Sequence, residues 1–148
     1  MEPVTVTVEV DRPRQEVFDF VDVIANRESW MDRLYKDWSF DGPARGVGGI
    51  AKAQVDAPTS RERVTIEVVE STAPERIVEE VENAHGKRKT RDTYRFTAVG
   101  EGRTRIDFEL DWLATPRSER IATAVSRNFM KRVQSKTLKR LAAQLEKG

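Results

Sequence analysis

Glu79, Asp92 and Tyr94 are the residues that strand parity places best for chemistry in this chain. Between Arg76 and Asn83, Ile77 and Val81 share one parity with Glu79, whereas Val78 shares the other with Glu80 and Glu82. Side chains alternate across a strand, so either choice carries a carboxylate to the apolar side unless a bulge intervenes. Asp92 is in step with Tyr94, Phe96 and Ala98. A carboxylate enclosed by apolar groups has its charged form disfavoured; its pKa rises, which suits it to proton transfer or to gripping a polar group of a ligand. The structural alternative is a carboxylate paired with Lys36, Arg105 or an end of the last helix. Glu79, Asp92 and Tyr94 are thus the catalytic candidates, with Lys36 and Arg105 as expected partners.

Other chemistries have little to stand on. The only histidine, His85, sits beside Asn83, Gly86 and Lys87 in a polar connection, where a catalytic role is not expected. There is no cysteine, which excludes disulfides, thiolate ligands and thiol nucleophiles. One histidine and no Asp-rich loop leave no expected metal site, and no cofactor is expected. Gly46, Gly48 and Gly49 precede a strand and lack the Lys-Ser or Lys-Thr of a phosphate loop, so they indicate turn geometry. No serine lies in a nucleophile-elbow pattern.

The elements that must hold these residues read in order. Val4, Val6, Val8 and Val10 alternate with polar residues as a half-buried strand. Pro13 opens a short helix carrying Val17, Phe18, Val21 and Ile24, and Glu28 to Leu34 gives a further helical turn or two. A strand from Tyr35 to Phe40 would point Trp38, Phe40 and Lys36 inward. Further strands carry Ala51, Ala53 and Val55, then Val64, Ile66 and Val68, then the segment holding Glu79, then Asp92 to Ala98. The last carries Ile106, Phe108, Leu110 and Trp112. From Thr115 to Lys147 the chain predicts one long helix, capped at Thr115 and Pro116, with Ile121, Val125, Phe129, Val133, Leu138, Leu141 and Leu145 on its apolar face. Such a helix would span about 45 Å, long enough to lie across a sheet.

A chain of 148 residues with 38% hydrophobic content fits a single domain over residues 1–148. No window approaches a membrane span and no export signal is visible, so a cytoplasmic protein without stable membrane insertion is expected. Net charge is +1, yet the segment from Thr115 onward holds nine Lys or Arg against two Glu. Its basic face, with Arg117, Arg120, Arg127, Lys131, Arg132, Lys136, Lys139 and Arg140, reads as solvated. Lacking interleaved aromatics, it does not point to nucleic acid.

Runs of strands separated from helices indicate α+β with an antiparallel sheet. The order and several strings resemble the START-like, Bet v 1-like superfamily, also called SRPBCC, which includes polyketide cyclases and lipid-transfer proteins. The strings are Asp11-Arg12-Pro13 with Val17-Phe18, Asn26 to Trp30, Gly42-Pro43 before Gly46-Val47-Gly48, Thr72-Ala73-Pro74-Glu75-Arg76-Ile77, and Tyr94-Arg95-Phe96. The resemblance implies a helix-grip fold, a curved antiparallel sheet wrapped around the C-terminal helix with two short helices after the first strand. It also implies a cavity for a hydrophobic or amphipathic small molecule.

The expected ligand-binding residues are Trp38, Ile66, Val68, Val81, Tyr94, Phe96, Phe108, Leu110 and Trp112 on the sheet. Val125, Phe129, Met130 and Val133 would face them from the helix, with Trp30 and Met31 at the mouth. The leading expectation is a carrier or sensor. A cyclase, aromatase or dehydratase using Glu79, Asp92 or Tyr94 is the enzymatic alternative, and a partner or membrane contact through the basic helix is the third. The first half of the helix, Val125 to Val133, is expected to wall the cavity; the second, Leu138 to Leu145, is expected to anchor the fold.

Overall fold

The computed structural model describes residues 2–115 and 123–147. Seven strands form one antiparallel sheet: β1 (Val4–Val10), β2 (Tyr35–Asp41), β3 (Ile50–Val55), β4 (Arg63–Thr72), β5 (Arg76–Asn83), β6 (Arg88–Ala98) and β7 (Thr104–Ala114). Their spatial order is β1-β7-β6-β5-β4-β3-β2. Between β1 and β2 come α1 (Arg14–Asp22), a 3-10 turn at Ile24–Asn26 and α2 (Arg27–Met31); α3 (Thr123–Lys147) closes the chain. This is the expected helix-grip α+β architecture.

The alternation in β1 and β7 has a direct structural result. Val4 pairs with Leu110, Val6 with Phe108 and Val8 with Ile106, so the apolar sets of both strands fall on the same face. Leu138, Leu141, Ala142 and Leu145 of α3 are buried in the same cluster, and α3 packs on β1 and α2. Its end is tied down where Asp11 N–H donates to Glu146 Oε2 at 2.8 Å and Arg12 Nη2 donates to the Glu146 carbonyl at 3.0 Å. The anchoring half of the helix is therefore where the sequence puts it. Pro116 and Ile121 lie outside the described residues, as does the side chain of Val125.

Parity holds in most strands and fails in one. In β5, Ile77 and Glu79 are buried while Glu80 meets Lys89 and Arg91 on the outer face, which resolves the ambiguity in favour of Glu79 inward. In β2 the register slips between Lys36 and Ser39, where Asp37 takes a φ of 55°. The bulge shifts the parity: Tyr35 rather than Lys36 joins Trp38 and Phe40 against the core, and Lys36 is exposed. Between β2 and β3, Gly42 takes a φ of 78°, and a Cβ there would sit 2.2 Å from the Gly48 carbonyl oxygen. Only glycine permits that closeness, which lets the loop fold back so that Gly48 N–H reaches the Val68 carbonyl at 2.9 Å.

Leu141 lies fully buried at the centre of the α3 contact. Leu141→Ala should cost about 2–5 kcal/mol, the range for emptying such a site, as read by urea denaturation; a loss below about 1 kcal/mol would place the anchor elsewhere on the helix.

Candidate functional site

The short helix α2 positions the polar centre of the molecule. Arg27 shares a helical face with Trp30 and Met31 at spacings of three and four, and all three are buried. Arg27 is fully enclosed. Its Nε and Nη2 both donate to Glu79 Oε2, at 3.2 and 2.9 Å, and its Nη1 donates to the Val21 carbonyl. The guanidinium carbon lies 5.0 Å from the Trp30 ring centroid and 5.6 Å from that of Tyr94, so aromatic faces complete the cation's surroundings. Lys36 and Arg105 are not the partners: Lys36 approaches Asp56 at 3.9 Å and Arg105 pairs with Asp107 at 3.0 Å, both away from the interior.

Asp92 faces Glu79 directly across the β5–β6 ladder. It accepts a hydrogen bond from the Thr90 hydroxyl at 3.0 Å. Burial pushes its carboxyl well above the ordinary aspartate range and the neighbouring Glu79 charge adds to this, while the Thr90 hydrogen bond and Arg27 pull the other way. Tyr94 is raised well above the usual phenol range, by burial and then by Glu79. Tyr35 is pushed up to about 12, by burial and then by Asp92. Glu79 Oε1 has no hydrogen-bond partner and is buried.

Most of the sheet residues expected to line a cavity belong to the buried core. Ile66, Val68, Tyr94, Phe96, Phe108 and Leu110 are all buried in one packed cluster. Phe18 of α1 meets Phe96 edge-on at 5.8 Å, and Arg27 and Trp30 of α2 are buried. Trp38, Val81, Trp112 and Met130 are half-buried at its margins. Phe129, expected against the sheet, is instead 62% exposed. It stands about 100° around the helix from Met130, and the buried stripe passes through Met130, Leu138 and Leu141 instead.

One pocket lies between α2 and α3. Its volume is about 420 Å³, and it is bounded by Trp30, Leu34, Val133 and Thr137, with Arg33, Lys136, Lys139 and Arg140 around them. Of the expected ligand residues, Trp30 and Val133 meet here. Arg140 clamps the two helices by donating from Nε and Nη2 to the carboxylate of Asp32, at 2.6 and 2.7 Å. Glu79, Asp92 and Tyr94 do not line this pocket. Among the described residues no group of three or more His, Cys, Asp or Glu could hold a metal ion, and no helix is long and apolar enough to cross a membrane.

Sequence reasoning missed Arg27, although the signal existed. Arg27 falls on the same helical face as Trp30 and Met31, and an inward carboxylate calls for a buried cation, for which arginine is suited.

A sheet held against one long helix, with two short helices after its first strand, is a helix-grip domain. Residues 1–146 match the family described as polyketide cyclase / dehydrase and lipid transport, and the chain belongs to that family. Among solved structures, a conserved protein from Geobacillus kaustophilus superposes with a TM-score of 0.79 at 13% identity, covering 99% of this chain and 96% of that one. TTHA0849 from Thermus thermophilus gives 0.75 at 15% identity, covering 97% of each. DynU16, a protein of the dynemicin biosynthetic locus, gives 0.68 at 20% identity; it covers 99% of this chain, which spans 48% of that larger protein. No protein of curated function matches by sequence.

Two outcomes test the polar centre. Arg27→Met leaves Glu79 buried without its cation and should cost about 3–5 kcal/mol, whereas Arg27→Met with Glu79→Leu should recover most of that loss; equal losses in urea denaturation would mean that the pair does not act as a unit. Asp92 gives a pH signature. Its folded pKa is raised, so above about pH 4, where the unfolded aspartate ionises, the folded state holds more protons and this group's contribution to stability falls as pH rises. The stability of Asp92→Asn relative to the parent should therefore grow from about pH 4 upward through the folded pKa, and a pH-independent difference would contradict this.

Proposed function

We propose that this chain binds a hydrophobic or amphipathic small molecule in the pocket between α2 and α3, as a carrier or sensor formed by one domain over residues 1–148. The observation that carries this reading is the pocket itself. Its volume of about 420 Å³ falls within the roughly 300–1,000 Å³ typical of small-molecule sites, and Trp30, Leu34 and Val133 give it apolar walls. Family membership supports the same reading, since the family's description joins lipid transport to cyclase and dehydrase chemistry. A cytoplasmic setting fits a chain without cysteine.

The enzymatic alternative, a polyketide cyclase, aromatase or dehydratase, would use Glu79, Asp92 or Tyr94 to move a proton. Its support is the shifted Asp92 and the unpartnered Glu79 Oε1. A general acid or base must reach the proton it transfers, and these buried groups are separate from the pocket lining. Binding is therefore the better-supported reading. A nucleic-acid ligand is not part of it.

Val133→Trp should fill the pocket while sparing the anchor at Leu138 to Leu145. A thermal-shift panel of single-chain amphiphiles and fused-ring aromatics should contain compounds that stabilise the parent, because a ligand at about 100 times its Kd adds about 2.7 kcal/mol. The variant should lose that stabilisation with its own melting temperature little changed. If the parent is shifted by none of the panel, the proposal fails.

A further inference from the structure

We infer that the ligand of this pocket is an anionic amphiphile, an acyl-type chain ending in a carboxylate or a phosphate, whose charged end sits at the mouth on Lys136, Lys139 and Arg33. This rests on the proposed binding function and names the substrate class for the same pocket.

The inference starts from unbalanced charge. Four cations, Arg33, Lys136, Lys139 and Arg140, line the pocket, and no carboxylate does. Arg140 is already held by both oxygens of Asp32. Arg33, Lys136 and Lys139 have no ion pair among the described residues, although ion pairs are otherwise spread over much of the sheet surface. Their distribution along α3 is informative. Lys136 and Lys139 are exposed, whereas Val133 and Thr137 on the same stretch turn toward the pocket. Apolar wall and cationic mouth thus come from one stretch of helix.

The field at the mouth is extended from the other side of α3. Lys136 and Lys139 also border a groove against β1 that includes Lys131 and Arg132 with Thr5, Thr7, Asn128 and Ser135, again without a carboxylate. Like charges gathered around a low-dielectric recess reinforce one another and draw in the opposite charge. Below them, the walls of Trp30, Leu34 and Val133 offer nothing to a charged group and favour a chain or ring. A neutral hydrophobe would use only the lower part of this site, and a cationic amphiphile would be repelled at its mouth. Carboxylate and phosphate share the recognition chemistry, lysine and arginine donors arranged around an anion.

The test uses four probes with the same dodecyl-length chain, each below its micelle threshold: dodecanoate, dodecyl phosphate, dodecanol and dodecyltrimethylammonium. Binding to the full chain is followed by isothermal titration calorimetry and by tryptophan fluorescence, since Trp30 lines the site. The anions should bind about tenfold more tightly than dodecanol at low salt, the scale of a few exposed charge contacts acting together. The ammonium probe should bind most weakly. The advantage should shrink with added salt and disappear in Lys136→Gln with Lys139→Gln, while dodecanol affinity stays unchanged. The relative affinities of dodecanoate and dodecyl phosphate then say which head group the mouth prefers. If dodecanol matches both anions, the anionic assignment is overturned and the binding reading survives. If none of the four binds, the binding reading falls and takes this inference with it.

Discussion

The ion pair between Arg27 and Glu79 sets the internal arrangement of this molecule. Both side chains are fully buried, and removing two charges from water is costly unless geometry and further hydrogen bonds compensate. Here two guanidinium nitrogens share one carboxylate oxygen, a third reaches the Val21 carbonyl, and two aromatic rings flank the cation. Such a group tolerates few positions. It ties α2 to Glu79 of β5 and Tyr94 of β6 through one long side chain, while Trp30 of the same helix is buried and Leu34, just beyond it, lines the pocket against α3.

From that placement the division of the interior follows. Phe18 packs on Phe96 and Arg27 on Tyr94, and the aromatics Tyr94, Phe96 and Phe108 of β6 and β7 lie in the buried core. A pocket lies at the seam between α2 and α3, where Asp32 and Arg140 bridge the helices. Polar centre and pocket are thus neighbours separated by Trp30, which is buried in the cluster on one side and lines the pocket on the other.

Much of the fold is legible in the chain because alternation is a local property. The valines of β1, the Val64-Ile66-Val68 set of β4 and the Ile106-Phe108-Leu110 set of β7 all face the core, as their parity requires. Asp92 and Tyr94 are inward for the same reason. Local pattern loses its hold at β2, where the positive φ of Asp37 inserts a bulge and exchanges Lys36 for Tyr35. It also loses its hold at Phe129, whose spacing fits the apolar stripe of α3 but whose place on the helix falls beside the buried line.

By itself the sequence determines the fold class, the strands and their order, the family resemblance, and that a carboxylate must face inward somewhere along β5. Tertiary structure alone decides which cation answers it, since Arg27 and Glu79 lie 52 residues apart and no periodicity couples positions at that distance. It also decides that a pocket lined by Trp30, Leu34 and Val133 opens between two helices. The physical reason is that parity and helical spacing fix which side of an element a residue takes, whereas cavities and ion pairs depend on what a second element brings to that side.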